Sequence, residues 1–369
     1  MDMYKKILLG MSFFSILIFD GFLENMFIVI FTISIYKAFQ NKDTQNLFKC
    51  FVISYIILNL VLVIFYKEKV DYSILEPYNP QDKKAVILVY QGEDRKYNLK
   101  ERSREIYESD GVYSLFTSVY KLHRYKDMYE KLGSSEFKNR SYQFRKELSN
   151  KLGPNYTVLN SNLYTRPYLE NIVADLVNKG YKEIIFCPMF LTEGREYKTF
   201  QKRVENMELI KYGVNIKVTG VFWDSEEIAN VYKDNILAYL NKKNDNMGIL
   251  LVGLKEQNDL NQDIIFREKI KNQLLNEKKD NIKIKLALLE NHKRDIIKIG
   301  EELLEYGIDL LYLVIPTSMF ETIQIRSLAE YVLRKLYVSD ETKYYYIGPV
   351  NDNSILVEEL YKKIKLIQN

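Results

Sequence analysis

The stretch that decides the fold is residues 309–322, DLLYLVIPTSMFET. Its apolar run, residues 310–315, does not alternate with polar residues, which is typical of a strand buried on both faces of a parallel sheet. Pro316 ends the run, because proline cannot donate a hydrogen bond to a neighbouring strand. Glu321 follows at the start of a predicted helix over residues 321–336. Ligands of open parallel sheets bind beyond the carboxyl ends of the strands, so Glu321 is a candidate working group; the alternative is a first-turn carboxylate favoured by the helix dipole.

The rest of the chain after residue 84 alternates strands and helices in the same way. The other predicted strands are residues 85–90, 156–162, 183–188, 215–222, 248–254, 282–288 and 344–348. The helical patterns between them include residues 142–152, 168–179, 225–240, 263–275, 293–306 and 354–367. Continuous apolar strands that alternate with helices indicate parallel sheets covered on both faces. The sequence therefore predicts an α/β protein with two similar three-layer, Rossmann-like domains, residues 85–222 and 223–369, and a cleft between them.

The N-terminal residues differ in composition from the rest. Residues 47–66, LFKCFVISYIILNLVLVIFY, are long and apolar enough to cross a hydrocarbon core of about 30 Å. Residues 7–39 are also apolar but include Asp20 and Glu24, so a hairpin that turns at these carboxylates is predicted instead of one straight helix. The sequence predicts a transmembrane anchor of two or three helices over residues 1–66 and a polar linker over residues 67–84. Lysines lie near most span ends, and two spans would put the soluble part inside while three would put it outside; we expect the cytoplasmic face.

Composition and missing motifs exclude several kinds of site. Cys50 and Cys187 are too few for an iron–sulfur cluster or a disulfide scaffold, and they suit a reducing compartment. His123 and His292 are the two histidines, and no HExxH motif is present. The sequence has no GxGxxG, no GxxxxGK[ST] and no GxSxG, so dinucleotide, P-loop and α/β-hydrolase sites lose their usual support. The net charge of +4, without a long basic block, predicts no nucleic-acid partner.

Taken in order, several motifs resemble those of the ferrochelatases, the terminal metal-inserting enzymes of haem biosynthesis. Residues 85–94, AVILVYQGED, resemble the family's first strand and its Ala-Tyr-Gly-Thr-Pro turn. Residues 320–323, FETI, resemble the Ile-Glu-Thr-Leu stretch with the catalytic glutamate, and residues 349–353, PVNDN, resemble a Leu-Asn-Asp-Asp-Pro ending. Weaker matches at residues 129–138, 164–170, 184–194 and 221–223 follow the family order, so the resemblance covers roughly residues 84–367.

The resemblance implies a chelatase-like fold and a lyase that inserts Fe²⁺, as a substrate, into a porphyrin held in the cleft. It implies that Glu321 is the catalytic proton acceptor and contacts the metal, and that Tyr90 lies on the metal path. Tyr90, Tyr164 and Asp352 are the implied substrate-binding residues. No tightly bound cofactor is expected, and the expected partners are porphyrin or haem and membrane lipid.

One departure from the family pattern leaves catalysis open. The family's metal-binding histidine at the end of the fifth strand falls on Val252 or Leu254, and neither side chain binds iron. His292 is the histidine nearest this side of the predicted fold, and it is typical of a surface residue at a helix start. A non-catalytic protein on the same scaffold is therefore the alternative, one that binds haem or a precursor or docks a membrane partner. A two-domain, periplasmic-type binder of small molecules is a third interpretation.

Overall fold

The computed structural model describes residues 3–40, 46–66, 70–74, 83–238, 246–254, 260–277, 281–289, 293–336, 342–349 and 353–368. The chain divides into two compact units, and each unit combines two separate segments of the sequence. The first, here called the helical unit, combines Met1–Val70 with Asp94–Ser135. The second, the sheet unit, combines Asp71–Glu93 with Glu136–Asn369.

The helical unit consists of five described helices: α1 (Met3–Ile18), α2 (Phe22–Gln40), α3 (Leu47–Tyr66), α4 (Leu99–Asp110) and α5 (Ser114–Leu132). The chain turns between α1 and α2 as predicted. Gly21 has a φ of +65° there, and its N–H donates to the Asp20 carboxylate. Among the described residues one helix is long and apolar enough to cross a membrane, by length and composition, over Leu47–Ile64. A crossing by two or three helices stays a prediction.

The helix pair α4–α5 packs on the apolar helices of the same unit. Val119, Leu122 and Tyr125 of α5 form a buried cluster with Ile18 of α1 and with Leu58 and Leu62 of α3. Residues 94–135 were predicted to belong to the first α/β domain, and the structure shows that the apolar face of α5 has its partners in α1 and α3. A fragment without α1 and α3 would expose that face, so the full chain is the form suited to experiments.

The sheet unit contains two four-stranded sheets in which every pair of neighbouring strands is parallel. Its strands are β1 (Lys84–Tyr90), β2 (Tyr156–Asn162), β3 (Glu183–Pro188), β4 (Asn215–Val218), β5 (Met247–Leu254), β6 (Ile282–Leu289), β7 (Leu310–Val314) and β8 (Lys343–Ile347). Its helices are α6 (Phe137–Leu152), α7 (Leu169–Asn178), α8 (Arg195–Asn206), α9 (Glu226–Ala238), α10 (Gln262–Leu275), α11 (Lys293–Leu304), α12 (Ile323–Lys335) and α13 (Asn353–Leu366). The strand orders, β2-β1-β3-β4 and β6-β5-β7-β8, are equivalent, which confirms the predicted α/β class and its duplication.

Several predicted elements differ in extent, and two of these differences have a clear structural reason. The strand predicted over residues 215–222 ends at Val218, and the chain then leaves the sheet to bury Val221 and Phe222 in two different core clusters. The helix predicted from residue 321 begins at Ile323, because Thr322 is its N-cap and accepts a hydrogen bond from the Ile325 N–H. This second difference determines where Glu321 lies.

One core cluster contains side chains from both sheets. It includes Leu88 of β1 and Leu251 of β5, together with Phe137, Phe144 and Phe320. The Phe320 ring centroid lies 6.0 Å from that of Phe137 and 5.9 Å from that of Phe144. The two sheets are therefore joined by shared aromatic packing close to the carboxyl end of β7, next to the candidate site.

Candidate active site at the carboxyl ends of the strands

Glu321 lies outside α12, at the carboxyl edge of the second sheet. β7 ends at Val314, and α12 begins two residues after Glu321, with Thr322 between them. Glu321 is half-buried. The helix-dipole explanation requires the Glu321 carboxylate to lie at the first turn of α12. In the structure a different carboxylate occupies that position.

The carboxylate at the start of α12 belongs to Glu93, which follows β1 in the first half of the sheet unit. The Ile323 N–H donates to both carboxylate oxygens of Glu93, at 3.1 and 3.0 Å. Glu93 is 2% exposed. A helix N-terminus attracts negative charge because its first N–H groups have no partner within the helix. Glu93, from the first half of the sheet unit, thus compensates the positive end of the α12 dipole. Glu321 does not perform this function.

Gly92 lets the chain reach this position. Its φ is +90°, and a Cβ there would lie 2.5 Å from the Thr165 Oγ1 and 2.6 Å from the Asn162 Cβ. A side chain would therefore clash as well as strain the backbone. Glycine allows the turn after β1 to pass close to the end of β2 and to direct Glu93 towards α12. A glycine followed by an acidic residue after a buried strand can be seen in the sequence. The sequence does not show that this acidic residue contacts α12.

We predict that Glu93→Ala lowers the free energy of unfolding of the sheet unit by about 1.5–3 kcal/mol, the usual contribution of hydrogen bonds to a charged group. The substitution leaves the first N–H of α12 buried and without its acceptor. Urea unfolding followed by the fluorescence of Trp223, which packs on two core clusters of this unit, measures the change. Glu330→Ala, at an exposed position of the same helix, is the control and should change the free energy by less than ~0.5 kcal/mol. Equal effects of the two substitutions would contradict the assignment.

Glu321 shares a small space with Tyr346 at the ends of β7 and β8. A Cβ on Gly348 would lie 3.1 Å from the Glu321 Oε1 and 3.0 Å from the Tyr346 hydroxyl oxygen. Burial raises the pKa of Tyr346, and the negative charge of Glu321 raises it further, while Arg326 opposes the shift. Tyr346 therefore keeps its proton at neutral pH, and the acceptor beside it is the Glu321 carboxylate. This arrangement can accept a proton from a ligand at the edge of the sheet.

Tyr90 is enclosed in the aromatic cluster between the two sheets. It is 1% exposed, and its ring centroid lies 5.6 Å from that of Phe320 and 5.8 Å from that of Phe137. In the described part of the chain its buried hydroxyl has no hydrogen-bond partner. Burial raises the pKa of Tyr90, and the neighbouring Cys187 adds to the shift. A metal-bound phenolate would require loss of that proton, which burial opposes, so the metal role of Tyr90 stays a prediction.

Tyr164 is not brought together with Tyr90. Tyr90 belongs to the core cluster that spans both sheets, whereas Tyr164 belongs to the cluster on the opposite face of the first sheet. Tyr164 is 1% exposed, and the Arg203 guanidinium lies 5.9 Å from its ring centroid. Its predicted contact with substrate therefore has no support from this placement. Asp352 and His292, the other residues singled out by sequence, lie outside the described residues.

The donors of a protein metal site are few in this part of the molecule. Across the described ranges, no three His, Cys, Asp or Glu side chains come together in a way that could hold a metal ion. Of the two positions that the resemblance aligns with a histidine, Val252 is fully buried in the core and Leu254 is 40% exposed. Burial also raises the pKa of the Cys187 thiol, which keeps it protonated when no metal ion is bound.

Comparison with known proteins identifies the fold. Residues 133–238 match the model of the CbiX family, which is less than half of the chain. The structure is similar to that of the sirohydrochlorin chelatase SirB from Bacillus subtilis subspecies spizizenii in complex with cobalt, with 12% identity, a TM-score of 0.50, and coverage of 78% of this chain and 96% of that chain. It is also similar to SirB from Bacillus subtilis with Fe³⁺, with 13% identity, a TM-score of 0.51, and coverage of 77% and 94%. No curated protein matches the chain.

At these identities the similarity establishes a chelatase-like fold with two parallel four-stranded sheets. The fold implied by the ferrochelatase resemblance is confirmed, but ferrochelatase itself is not confirmed, because the matches are to CbiX and to sirohydrochlorin chelatases. A fold does not fix an activity, so function has to be argued from the site.

Proposed function

We propose that this protein inserts a divalent metal ion into a tetrapyrrole at the carboxyl edge of its sheets, with Glu321 as the proton acceptor. The observation that carries the proposal is the division of roles between two carboxylates. Glu93 neutralises the start of α12, and Glu321 is left beside the protonated Tyr346 at the ends of β7 and β8. The chelatase-like fold and the match of residues 133–238 to CbiX support the same class of reaction.

The chemistry requires a base and a way to hold the metal ion loosely. Insertion forms bonds from the metal to the pyrrole nitrogens and releases two N–H protons, which pass through a carboxylate to water. A carboxylate can accept such a proton and pass it to water, and Glu321 is half-buried at the edge where the tetrapyrrole would lie. Carboxylate and water ligands also release a divalent ion more readily than a histidine or thiolate site would. The metal ion is a substrate here.

The identity of the tetrapyrrole is the more specific part of the proposal. The sequence resemblance suggests Fe²⁺ and a porphyrin of haem biosynthesis, whereas the names of the similar structures suggest sirohydrochlorin. Full-length protein in detergent, assayed without oxygen with Fe²⁺, Co²⁺ or Zn²⁺, should change the absorption spectrum of one of these tetrapyrroles faster than the same mixture without protein. Absence of insertion with sirohydrochlorin, coproporphyrin and protoporphyrin would overturn the proposal, and absence of binding as well would remove both candidate functions.

The second candidate is a protein that binds a tetrapyrrole, or haem, without catalysis. The metal donors favour it, because the described residues hold no cluster of three ligands and the resemblance expects a histidine where this chain has Val252 or Leu254. This candidate predicts saturable binding of the tetrapyrrole and an insertion rate equal to that of the mixture without protein. The same assay therefore separates the two functions.

We also propose that α3 holds the protein in a membrane, and we predict that the full chain stays in the membrane fraction through a carbonate wash. Ile56 and Leu60 are exposed on α3 and lie on either side of its centre. Ile56→Lys combined with Leu60→Lys should release the protein, because a lysine at the centre of a span costs about 2.5–3.5 kcal/mol. Release of the unmodified chain by carbonate would contradict the anchor.

A further inference from the structure

The two halves of the sheet unit contain equivalent elements. Their strand orders match, so β1 corresponds to β5 and β3 corresponds to β7. The helix that follows β3 is α8, and the helix that follows β7 is α12. Gly194 is the N-cap of α8, and Thr322 is the N-cap of α12. Glu193 therefore occupies in the first half the position that Glu321 occupies in the second, directly before the N-cap.

Two reciprocal contacts join the carboxyl ends of the two sheets. Glu93, which follows β1, accepts from the N–H of Ile323, the first residue of the helix after β7. Gln262, at the start of the helix after β5, accepts at 2.7 Å from the N–H of Glu193 in the segment after β3. The carboxyl ends of both sheets therefore border the same region, and Glu193 and Glu321 both lie at its edge.

The same glutamine also contacts the carboxylate of Glu193. Gln262 is 7% exposed, and its Nε2 donates to the Glu193 Oε2 at 3.4 Å. Glu193 is half-buried, and among the described residues no cationic side chain pairs with its carboxylate. Burial raises the pKa of the neighbouring Tyr197, and the negative charge of Glu193 raises it further. Glu193 thus lies beside a protonated tyrosine, as Glu321 lies beside Tyr346.

From this duplication we propose that Glu193 is a second proton acceptor of the reaction and that Gln262 positions it. This inference rests on the proposed function. Insertion forms bonds from the metal ion to the pyrrole nitrogens and breaks two N–H bonds. One proton passes to the Glu321 carboxylate and the other to the Glu193 carboxylate, each carboxylate then passes its proton to water, and no group is oxidised or reduced. With two acceptors, the second N–H bond can break before the first proton has left the site.

Glu193→Gln in the full chain tests this role, because glutamine can still pair with Gln262 but cannot accept a proton at neutral pH. We expect the insertion rate to fall at least ~10-fold, less than for a sole base because Glu321 still accepts protons, with a tetrapyrrole affinity within a few-fold. Glu205→Gln, the same change at an exposed position near the other end of α8, is the control and should change neither quantity. Circular dichroism checks that each variant is folded, and Glu193→Ala replaces Glu193→Gln if it is not.

The pH dependence of the rate separates a proton acceptor from a structural role. If both carboxylates must be ionised, the logarithm of the rate should fall at acid pH with a slope approaching about 2, and Glu193→Gln should reduce that slope to about 1. Glu193→Asp keeps a carboxylate and should retain the steeper slope even at a lower rate. Tyr197 keeps its proton over this range, and the groups of the tetrapyrrole titrate alike in all variants.

The outcomes distinguish this inference from the proposed function. Equal rates and slopes for Glu193→Gln and Glu205→Gln, with a clear loss in Glu321→Gln, would overturn the inference and leave the proposed function intact. A lower rate with an unchanged slope would also overturn it, because Glu193 would then have a structural role only. If the unmodified protein inserts no metal into any of the tetrapyrroles, the proposed function fails, and the second proton acceptor fails with it.

Discussion

Replacing Glu321 by glutamine should lower the rate of metal insertion at least ~10²-fold, while the affinity for the tetrapyrrole changes by no more than a few-fold. Glutamine keeps the size and the hydrogen-bonding capacity of the side chain but cannot accept a proton at neutral pH. We expect this substitution to have little effect on the structure, because the carboxylate that stabilises α12 is that of Glu93. Initial rates and tetrapyrrole titrations on the full chain measure the two quantities separately.

Glu330→Gln is the control for this experiment, because it makes the same chemical change at an exposed position of α12. It should leave both the rate and the affinity unchanged. If Glu321→Gln retains the rate of the unmodified protein, Glu321 is not the proton acceptor, and the assignment fails even if insertion is observed. If the unmodified protein binds tetrapyrrole but inserts no metal, the binding function stands in place of the enzyme.

Most of the sheet unit could be predicted because its signals are local. Continuous apolar runs such as residues 310–315 occur where a strand is covered on both faces, and all eight predicted strands are present. The packing of α5 could not be predicted in this way. Val119, Leu122 and Tyr125 show only that α5 has an apolar face, and their partners Ile18, Leu58 and Leu62 come from a distant part of the chain.

The candidate site was predicted only in part, for the same reason. The position of Glu321 after a buried strand and a proline follows from local sequence. That Glu321 does not cap the helix does not follow from local sequence, because the helix start is capped by Glu93, which lies 230 residues before Ile323 in the chain. Local sequence also gave no sign that Tyr90 and Tyr164 lie on opposite faces of the first sheet, because Tyr164 follows the end of a strand and its direction there is set by packing.

Phe320→Ala should destabilise the sheet unit by about 3–5 kcal/mol, the usual cost of removing a buried phenylalanine. Phe320 is 2% exposed and directly precedes Glu321. Its ring contacts Tyr90 of β1 and both Phe137 and Phe144 of α6, so it connects the end of β7 to the first half of the unit. Alanine would leave a cavity between the two halves, and the unfolding of the unit, followed by Trp223 fluorescence, should move to lower urea concentration.

Tyr142→Ala removes an aromatic ring from the exposed face of α6 and is the matched control, with an expected change below ~0.5 kcal/mol. Phe320→Leu should fall between the two, because leucine fills part of the cavity. The same series tests whether this packing positions the Glu321 carboxylate, the proposed proton acceptor. If it does, Phe320→Leu lowers the insertion rate under conditions where the protein is fully folded, because Glu321 is the next residue and moves with the backbone. A stable Phe320→Ala variant with an unchanged unfolding midpoint would show that the two sheets are joined by other contacts.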